Sequence, residues 1–325
     1  MPSSKPAFFF SATQSVDNRL GDLFSFIWAS YAGLRELWWQ VRGFSKEFPA
    51  MHIKDVEKKF LSGLPQPGGI DFRQMFLDRE WSRHEAEFSK WLLFEACTLY
   101  EGWAEKVCAD VFPSKSAKSN AKQLQFPSGT TKTGKPDGYP VPIAEANSAT
   151  SALMVAEFFP TLKASKLNCW PTVNDHLSAY RFFKECRNCF IHSDGLATQE
   201  ILDLHTKVMA IQGKTPSPFK HPFSLPKPIL NQRIALDLRD CSLLATLVRK
   251  LICTFDAALS VASKSETILE QRLRFLISNN PKWTNLPGDG AKQSQRIHRM
   301  LGASRIPEPT NLGSVMAWMQ TKRLI

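Results

Sequence analysis

The chain has 325 residues, of which 43% are hydrophobic and 11% aromatic, and this composition excludes a disordered polymer and allows a sizeable core. Its formal net charge of +11 draws polyanions, so nucleic acid is a candidate partner. Seven cysteines in mostly apolar surroundings, no long uncharged apolar stretch and no signal-peptide core predict a cytoplasmic protein with reduced thiols and no membrane contact.

The first half of the chain has helical periodicity interrupted by one polar segment. Apolar residues recur every three or four positions over residues 15–43, which predicts a long amphipathic helix, and a core helix should follow over about residues 72–112. Residues 113–142 are rich in Pro, Gly, Ser and Thr, so we predict a flexible basic loop there. The loop residues that we predict to contact RNA are Lys115, Lys118, Lys122, Lys132 and Lys135.

Two further helices are predicted over about residues 145–158 and 174–192, the second capped by Asn174 and Asp175. Five prolines between residues 213 and 231 exclude a helix in that segment. The sequence predicts that the chain returns to regular structure after them.

The last part of the chain should contain a short strand, a strong helix and a basic tail. The segment QRIALDLRD alternates apolar and polar residues as a strand does, and Asp240 can cap the apolar helix that follows. Residues 264–325 read as shorter helices with an excess of Lys and Arg. In this tail we predict RNA contacts at Arg296 and Arg299, which should add salt-dependent affinity.

The segment KECRNCFIHSDG, residues 184–195, has three interpretations. A zinc or redox site would use Cys186 and Cys189, but it needs a second ligand pair or a thioredoxin-like context, and the sequence has neither. A purely structural helix would use Arg187 in an ion pair and His192 as a favourable cation near a helix C-terminus. The third interpretation is a site that cleaves phosphodiesters.

A helical wheel places three polar residues of this segment together, away from the apolar face of the helix. Asn188 and His192 share a face, with Glu185 beside them. Arg187 lies to one side, but its long side chain can swing toward the helix end, where Gly195 is placed to terminate the helix. Three polar groups can therefore converge at that end. The face that this helix should bury consists of Ala179, Phe183, Cys186 and Phe190.

The hexapeptide RNCFIH resembles the signature of HEPN ribonucleases, in which Arg, Asn or another polar residue, and His occupy one helix. Here four residues separate the Arg from the His. The order of parts is also similar: a core helix with glutamates (LLFEACTLYEGW), the motif helix, a turn at SDG, an extended segment and a final apolar helix. The resemblance covers roughly residues 72–262.

This resemblance implies an all-α fold, a HEPN-like helical bundle with additional N- and C-terminal helices and a short extended segment or hairpin. We predict an N-terminal helical extension over residues 1–70, a catalytic domain over residues 71–262 and a basic helical extension over residues 263–325. The family forms homodimers with a composite cleft, cuts RNA without metal or another cofactor, and often serves as a toxin or effector in prokaryotic anti-phage defence, with an antitoxin or other partner protein.

The resemblance assigns the catalytic roles to Arg187, Asn188 and His192, with support from Glu185, Glu95 and Glu101. RNA carries its own nucleophile, the 2′-hydroxyl, so the protein has to move protons and stabilise charge, which His and Arg can do. The expected products are a 2′,3′-cyclic phosphate and a 5′-hydroxyl. The alternatives are a HEPN-like module that only binds nucleic acid or regulates a partner, and a nucleotidyltransferase, whose paired-carboxylate Gly-Ser motif the sequence lacks.

Overall fold

The computed structural model describes residues 8–62, 71–284 and 287–325, and the described chain is mostly helical, as predicted. Two π-helical turns (Gln74–Asp78 and Met154–Phe158), two 3-10 turns (Trp170–Thr172 and Pro281–Thr284) and a hairpin of β1 (Gly129–Thr130) with β2 (Pro136–Asp137) accompany the helices. The helices are α1 (Ser11–Glu47), α2 (Ile53–Leu61), α3 (Trp81–Val111), α4 (Ser114–Gln123), α5 (Pro140–Asn147), α6 (Phe159–Lys163), α7 (Val173–His192), α8 (Gln199–Gln212), α9 (Leu238–Leu259), α10 (Ser263–Asn279), α11 (Gly290–Ala303) and α12 (Leu312–Thr321).

Helix α3 lies at the centre of the fold because its apolar residues extend around more than one face. It packs against α1, α4, α7 and α9. A helix that is apolar on several sides has to be covered on several sides, and this requirement gathers the other helices around it. Its fully buried residues include Leu92, Leu93, Ala96, Cys97, Tyr100 and Trp103.

The motif helix α7 has nearly the predicted bounds, although its predicted caps are wrong. It begins at Val173, so Asn174 and Asp175 lie in its first turn. Asn174 Oδ1 accepts a hydrogen bond from the Ser128 N–H at 2.8 Å, and Asp175 Oδ1 pairs with Lys214 Nζ at 2.7 Å. Both side chains therefore fasten neighbouring segments to α7 instead of capping it.

Gly195 ends α7 as predicted. Its φ is +75°, in the left-handed region that glycine occupies without a steric penalty, and its N–H donates to the Cys189 carbonyl at 2.9 Å. Asp194, with φ +50°, completes the turn. The predicted buried face of the helix is also confirmed, since Ala179, Phe183 and Cys186 are buried and Phe190 is partly buried.

The prediction of a flexible loop over residues 113–142 is wrong. The segment folds into α4, the β1–β2 hairpin and the start of α5. Tertiary contacts override its weak local propensity: Tyr100 Oη donates to the Leu124 carbonyl at 2.7 Å, and Asn120 Nδ2 donates to Glu145 Oε2 at 2.9 Å. Within this segment the side chain of Leu124 is fully buried.

The region after α7 differs from the prediction in three places. Helix α8 was not predicted. The segment before α9 does not form the predicted strand, and it contributes only an isolated β-bridge between Arg233 and Leu196. The cap of α9 is Asp237, which accepts from the Asp240 N–H. Asp240 is instead fully buried and accepts the backbone N–H of Ser224 at 2.8 Å, so it anchors the proline-rich segment.

The predicted helix over residues 145–158 is also divided. It consists of the end of α5, a break, and the π-helical turn Met154–Phe158, which runs directly into α6. Ser151 lies in the break, where its N–H donates to the Val261 carbonyl at 2.9 Å and its hydroxyl donates to Glu266 Oε2 at 2.7 Å. These contacts with other parts of the chain replace the intrahelical bonds.

One hydrophobic core includes residues of α1, α3, α7, α9, α10, α11 and α12. A smaller cluster of Trp38, Val41, Val56, Phe72 and Phe76 joins the far half of α1 to α2 and the first π-helical turn. The division into units over 1–70, 71–262 and 263–325 stays a prediction, and its first boundary lies outside the described residues. In the ranges that the structure describes, no helix combines the length and apolar character needed to cross a membrane.

Residues 8–10, which we call the N-terminal strap, are held by charged side chains inside the core. Buried Asp256 accepts the N–H groups of Phe9 and Phe10 at 2.7 and 3.0 Å. Arg272 donates to the Phe9 carbonyl at 2.5 Å and to the Arg305 carbonyl at 3.1 Å. These two side chains join the strap, α9, α10 and the turn after α11.

The strap should make stability depend on pH. Burial raises the pKa of Asp256 from 3.8 to about 6, against the opposing effects of its hydrogen-bond donors and Arg272. The folded state then binds the proton more readily than the unfolded state, so this group's contribution is present below about pH 4 and lost as pH rises through about 6. We expect Asp256→Asn to flatten the change in free energy of unfolding between pH 4 and 7. Denaturant melts with the same pH dependence in both proteins would contradict this prediction.

Candidate functional site

Three polar side chains of the motif segment form a hydrogen-bonded series along α7. Asn188 Nδ2 donates to Glu185 Oε2 at 3.1 Å, and Arg187 Nη1 donates to Asn188 Oδ1 at 3.3 Å. All three side chains are partly exposed at the surface of the bundle. Asn188 thus links an acceptor on one side to the guanidinium on the other, which fixes the orientation of its amide.

Helix α3 supplies a carboxylate to this network. Glu101 Oε2 lies 4.0 Å from Arg187 Nη2. Glu101 Oε1 lies 2.8 Å from Lys184 Nζ and forms an ion pair with it, but the angles between the groups are not those of a hydrogen bond. Lys184 also donates to Gln125 Oε1. One carboxylate therefore faces two cations. Within the described ranges Arg187 Nε is buried without a hydrogen-bond partner.

His192 lies outside this network. It is the last residue of α7 and is exposed, and among the described residues it forms no hydrogen bond with Arg187 or Asn188. The predicted convergence at the helix end is therefore not formed within one chain. Arg187 turns instead to Glu101 of α3 and to the side-chain oxygen of its neighbour Asn188.

The other predicted supporting residue, Glu95, belongs to a different contact. Its Oε1 pairs with Arg19 Nη2 at 2.8 Å, which joins α3 to α1. Beside it the rings of Phe26 and Trp91 meet edge to face, with centroids 5.2 Å apart. Of the three glutamates named from the sequence, Glu101 faces Arg187 and Glu185 accepts from Asn188, whereas Glu95 takes part in neither contact.

The predicted RNA-binding lysines are exposed but do not surround the motif. Lys115, Lys118 and Lys122 lie on α4, and Lys132 and Lys135 lie on the hairpin. Asn174, at the start of α7, holds the segment before the hairpin, and His192 lies about 27 Å away at the other end of the helix. This distance separates the hairpin from the histidine within one chain, whereas the end of α4 lies beside Lys184.

The two tail arginines lie on α11, which packs on α10 and α12. Arg296 lies over the Trp283 ring, 5.0 Å from its centroid, and donates to the Lys282 carbonyl. Arg299 is exposed. Arg296 therefore has a local structural role, and only Arg299 presents a free surface to a ligand.

Both cysteines of the motif segment are buried. Burial raises the pKa of the Cys186 thiol well above its usual range and also raises that of Cys189. A buried neutral thiol is a poor nucleophile and a poor metal ligand. In the described part of the chain no three His, Cys, Asp or Glu side chains lie close enough together to hold a metal ion.

A cavity of about 690 Å³ beside the C-terminal turn of α7 was not predicted from the sequence. Its basic lining comes from Arg79, Arg83, Lys90 and Arg233. The spacing of Arg83 and Lys90 is a signal in the sequence, because residues seven apart lie on the same face of a helix. Lys184 was also missed, although it stands one turn before Asn188 on α7.

The turn that ends α7 should tolerate no side chain. A Cβ at Gly195 would lie 3.0 Å from the Phe190 ring, and the φ of +75° is unfavourable for any other residue. We expect Gly195→Ala to lower the free energy of unfolding by about 1–2 kcal/mol. Gly33→Ala is the control, because Gly33 lies in α1 with open space around it and should gain about 0.5–1 kcal/mol. Equal denaturation midpoints for Gly195→Ala and wild type would contradict the strain argument.

Comparisons of the chain with protein-family models, curated proteins and solved structures found no match.

Proposed function

We propose that the protein is a metal-independent endoribonuclease of the HEPN type, which cleaves RNA by attack of the 2′-hydroxyl. The observation that supports this best is the partly exposed Arg187–Asn188 pair, held by Glu101 and Glu185 one helical turn before the exposed His192. The excess positive charge of the chain suits a polyanionic substrate.

Each residue has a role that fits its environment. Arg187 offers a planar fork of donors to the phosphate oxygens, where negative charge builds up in the transition state. Asn188 sets the position of this fork through its hydrogen bond to Arg187. His192, exposed at the helix end, transfers a proton to or from a reacting oxygen, because an imidazole changes charge near neutral pH.

The second catalytic group comes from a second copy of the chain. In-line displacement needs a base at the 2′-oxygen and an acid at the leaving 5′-oxygen, on opposite sides of phosphorus, and one chain offers a single motif histidine. A two-fold axis beside α7 would bring both histidines to one phosphate, since such an interface presents the same surface twice. It would also place each His192 near the partner's Arg187, which explains why the two need no contact within one chain.

Exposed apolar side chains lie near the motif and provide a surface for this dimer. Ile191 on α7 is 49% exposed, Trp91 on α3 is 43% exposed and Phe26 on α1 is 54% exposed. On α3, Trp91 and Thr98 occupy the exposed strip between α1 and α7, because they are seven residues apart. Burial of such side chains against a second copy is favourable, at about 25 cal/mol per Å² of apolar surface.

The test uses purified protein and mixed cellular RNA in the presence of EDTA. We expect new RNA fragments with 2′,3′-cyclic phosphate and 5′-hydroxyl ends, and an intact DNA strand of the same sequence, since DNA lacks the internal nucleophile. Sequencing of the new ends would give the site preference. Cleavage that stops in EDTA, or fragments with 5′-phosphates, would exclude the proposed chemistry.

A second candidate is a HEPN-like module that binds nucleic acid or a regulatory partner without cleavage. The separation of His192 from Arg187 and Asn188 within one chain favours this candidate. RNA binding without any cleavage under the same conditions would select it. In either case we propose a cytoplasmic role in prokaryotic defence, with an antitoxin or other protein partner that controls the motif surface.

A further inference from the structure

The cavity beside the end of α7 combines aromatic and basic walls. Phe94 of α3 and Phe190 of α7 meet in it with ring centroids 6.3 Å apart. Lys90 Nζ lies 5.7 Å from the centroid of the Phe190 ring. The volume of about 690 Å³ lies within the range of roughly 300–1,000 Å³ that is usual for ligand sites.

The lining has an excess of positive charge, with four cations against two carboxylates. Lys90 pairs with Glu87 at 2.7 Å, and Arg233 pairs with Asp194 at 3.2 Å in an ion pair that water surrounds. Among the described residues Arg79 and Arg83 have no carboxylate within ion-pair distance. Two guanidinium groups thus remain available to an anion.

The positive charge of Arg79 also affects a buried histidine beside the cavity. His84 is buried, and its Nε2 lies 2.9 Å from the Met75 carbonyl. Burial lowers the pKa of His84, and the charges of Arg79 and Arg42 lower it further. Burial is the larger cause, and the Met75 hydrogen bond and the charge of Glu87 act in the opposite direction.

The cavity adjoins the proposed catalytic end of α7. Asp194 and Gly195 line it, and His192 stands two residues before Asp194 at the same helix terminus. A strand that extends from the cavity past this turn can therefore reach His192. A polymer that is cleaved at His192 could therefore place a neighbouring unit of its chain in the cavity.

We propose that this cavity binds one unpaired nucleotide of an RNA strand next to the phosphate that is cleaved. Arg79 and Arg83 bind its phosphates, and the base lies against Phe190. Aromatic walls with cations at the edge are how proteins hold single-stranded nucleic acid, because every base has a face that can stack. That the bound polymer is RNA rests on the proposed function. An acidic peptide would bind the cations but would not stack on the Phe190 ring.

The test measures binding of a labelled single-stranded RNA in the His192→Ala background, in which no cleavage should interfere. We expect Arg79→Glu/Arg83→Glu to weaken binding about tenfold or more, because both charges that bind the phosphates are reversed in the cavity. Lys207→Glu/Lys264→Glu is the matched control, since it makes the same change of charge at exposed residues outside the cavity. Equal RNA affinity of the two double variants would overturn the proposal.

A second variant examines the stacking. Phe190→Leu keeps an apolar side chain against Gly195 and should weaken RNA binding about fivefold or more. Its affinity for inorganic polyphosphate, which has charge but no bases, should not change. Unchanged RNA affinity of this variant would also overturn the proposal. Cleavage by the wild-type protein is measured separately, so a protein that binds RNA in the cavity without cutting it would refute the proposed function and leave the cavity's role standing.

Discussion

His192→Ala should lower the rate of RNA cleavage about 10²–10⁴-fold, the usual contribution of a group that transfers a proton in the transition state. Its folding should not change, because His192 is exposed at the end of α7. The control is His221→Ala, which removes another exposed histidine. The measurements are single-turnover cleavage of a defined RNA, RNA affinity and the thermal midpoint. A His192→Ala protein that cleaves like His221→Ala would remove this residue from the mechanism.

Mixed dimers extend this prediction to the composite site. We expect dimers with one wild-type and one His192→Ala subunit to lose far more than half of the wild-type activity, because each cleavage needs a proton donor and a proton acceptor from different subunits. Two affinity tags would allow purification of the mixed species. Mixed dimers that retain half of the activity, or a monomer that cleaves at full rate, would mean that each motif works alone.

Arg187→Ala should have the second large effect, a loss of about 10²–10³-fold in cleavage rate. Its guanidinium is fixed by Asn188 and faces Glu101, so it can stabilise charge without reorganisation. Arg187→Lys should recover little, because an ammonium group lacks the planar fork. The loss should appear in the single-turnover rate more than in the affinity for RNA.

The control for this variant lies on the same helix. Arg181 pairs with Glu200 at 3.6 Å and lies over the Phe126 ring, 4.4 Å from its centroid. Arg181→Ala should therefore change stability and leave the cleavage rate close to wild type. Similar cleavage rates for Arg181→Ala and Arg187→Ala would contradict the assigned role.

The parts of the fold that the sequence predicts are those in which local pattern and tertiary contacts agree. Helix α7 illustrates this, because its apolar spacing and Gly195 set its face and its end. Residues 113–142 show the opposite case. Their composition is typical of a loop, but buried Leu124 and the hydrogen bond between Asn120 and Glu145 stabilise a helix there. Such contacts join segments far apart in the chain, and local periodicity does not encode them.

The candidate site divides in the same way. The positions of Arg187, Asn188 and His192 on α7 follow from their spacing on one helix. Which glutamate reaches Arg187 depends on how α3 packs against α7, so Glu101 and Glu95 could not be distinguished from the sequence. The cavity near Gly195 draws on α3, the turn after α7 and Arg233, and only the folded chain brings them together.

The N-terminal strap has a consequence for the order of folding during synthesis. The hydrogen bond from the Phe9 N–H to Asp256 joins residues 247 positions apart, and Arg272 closes a longer loop to the Phe9 carbonyl. The ribosome has to extend the chain beyond α10 before these contacts can form, although the three phenylalanines emerge first. Closing so long a loop is entropically unfavourable and slow. The aromatic segment of residues 8–10 therefore stays exposed until α10 has been made, and we expect chaperones that recognise unfolded apolar sequence to bind it in that interval.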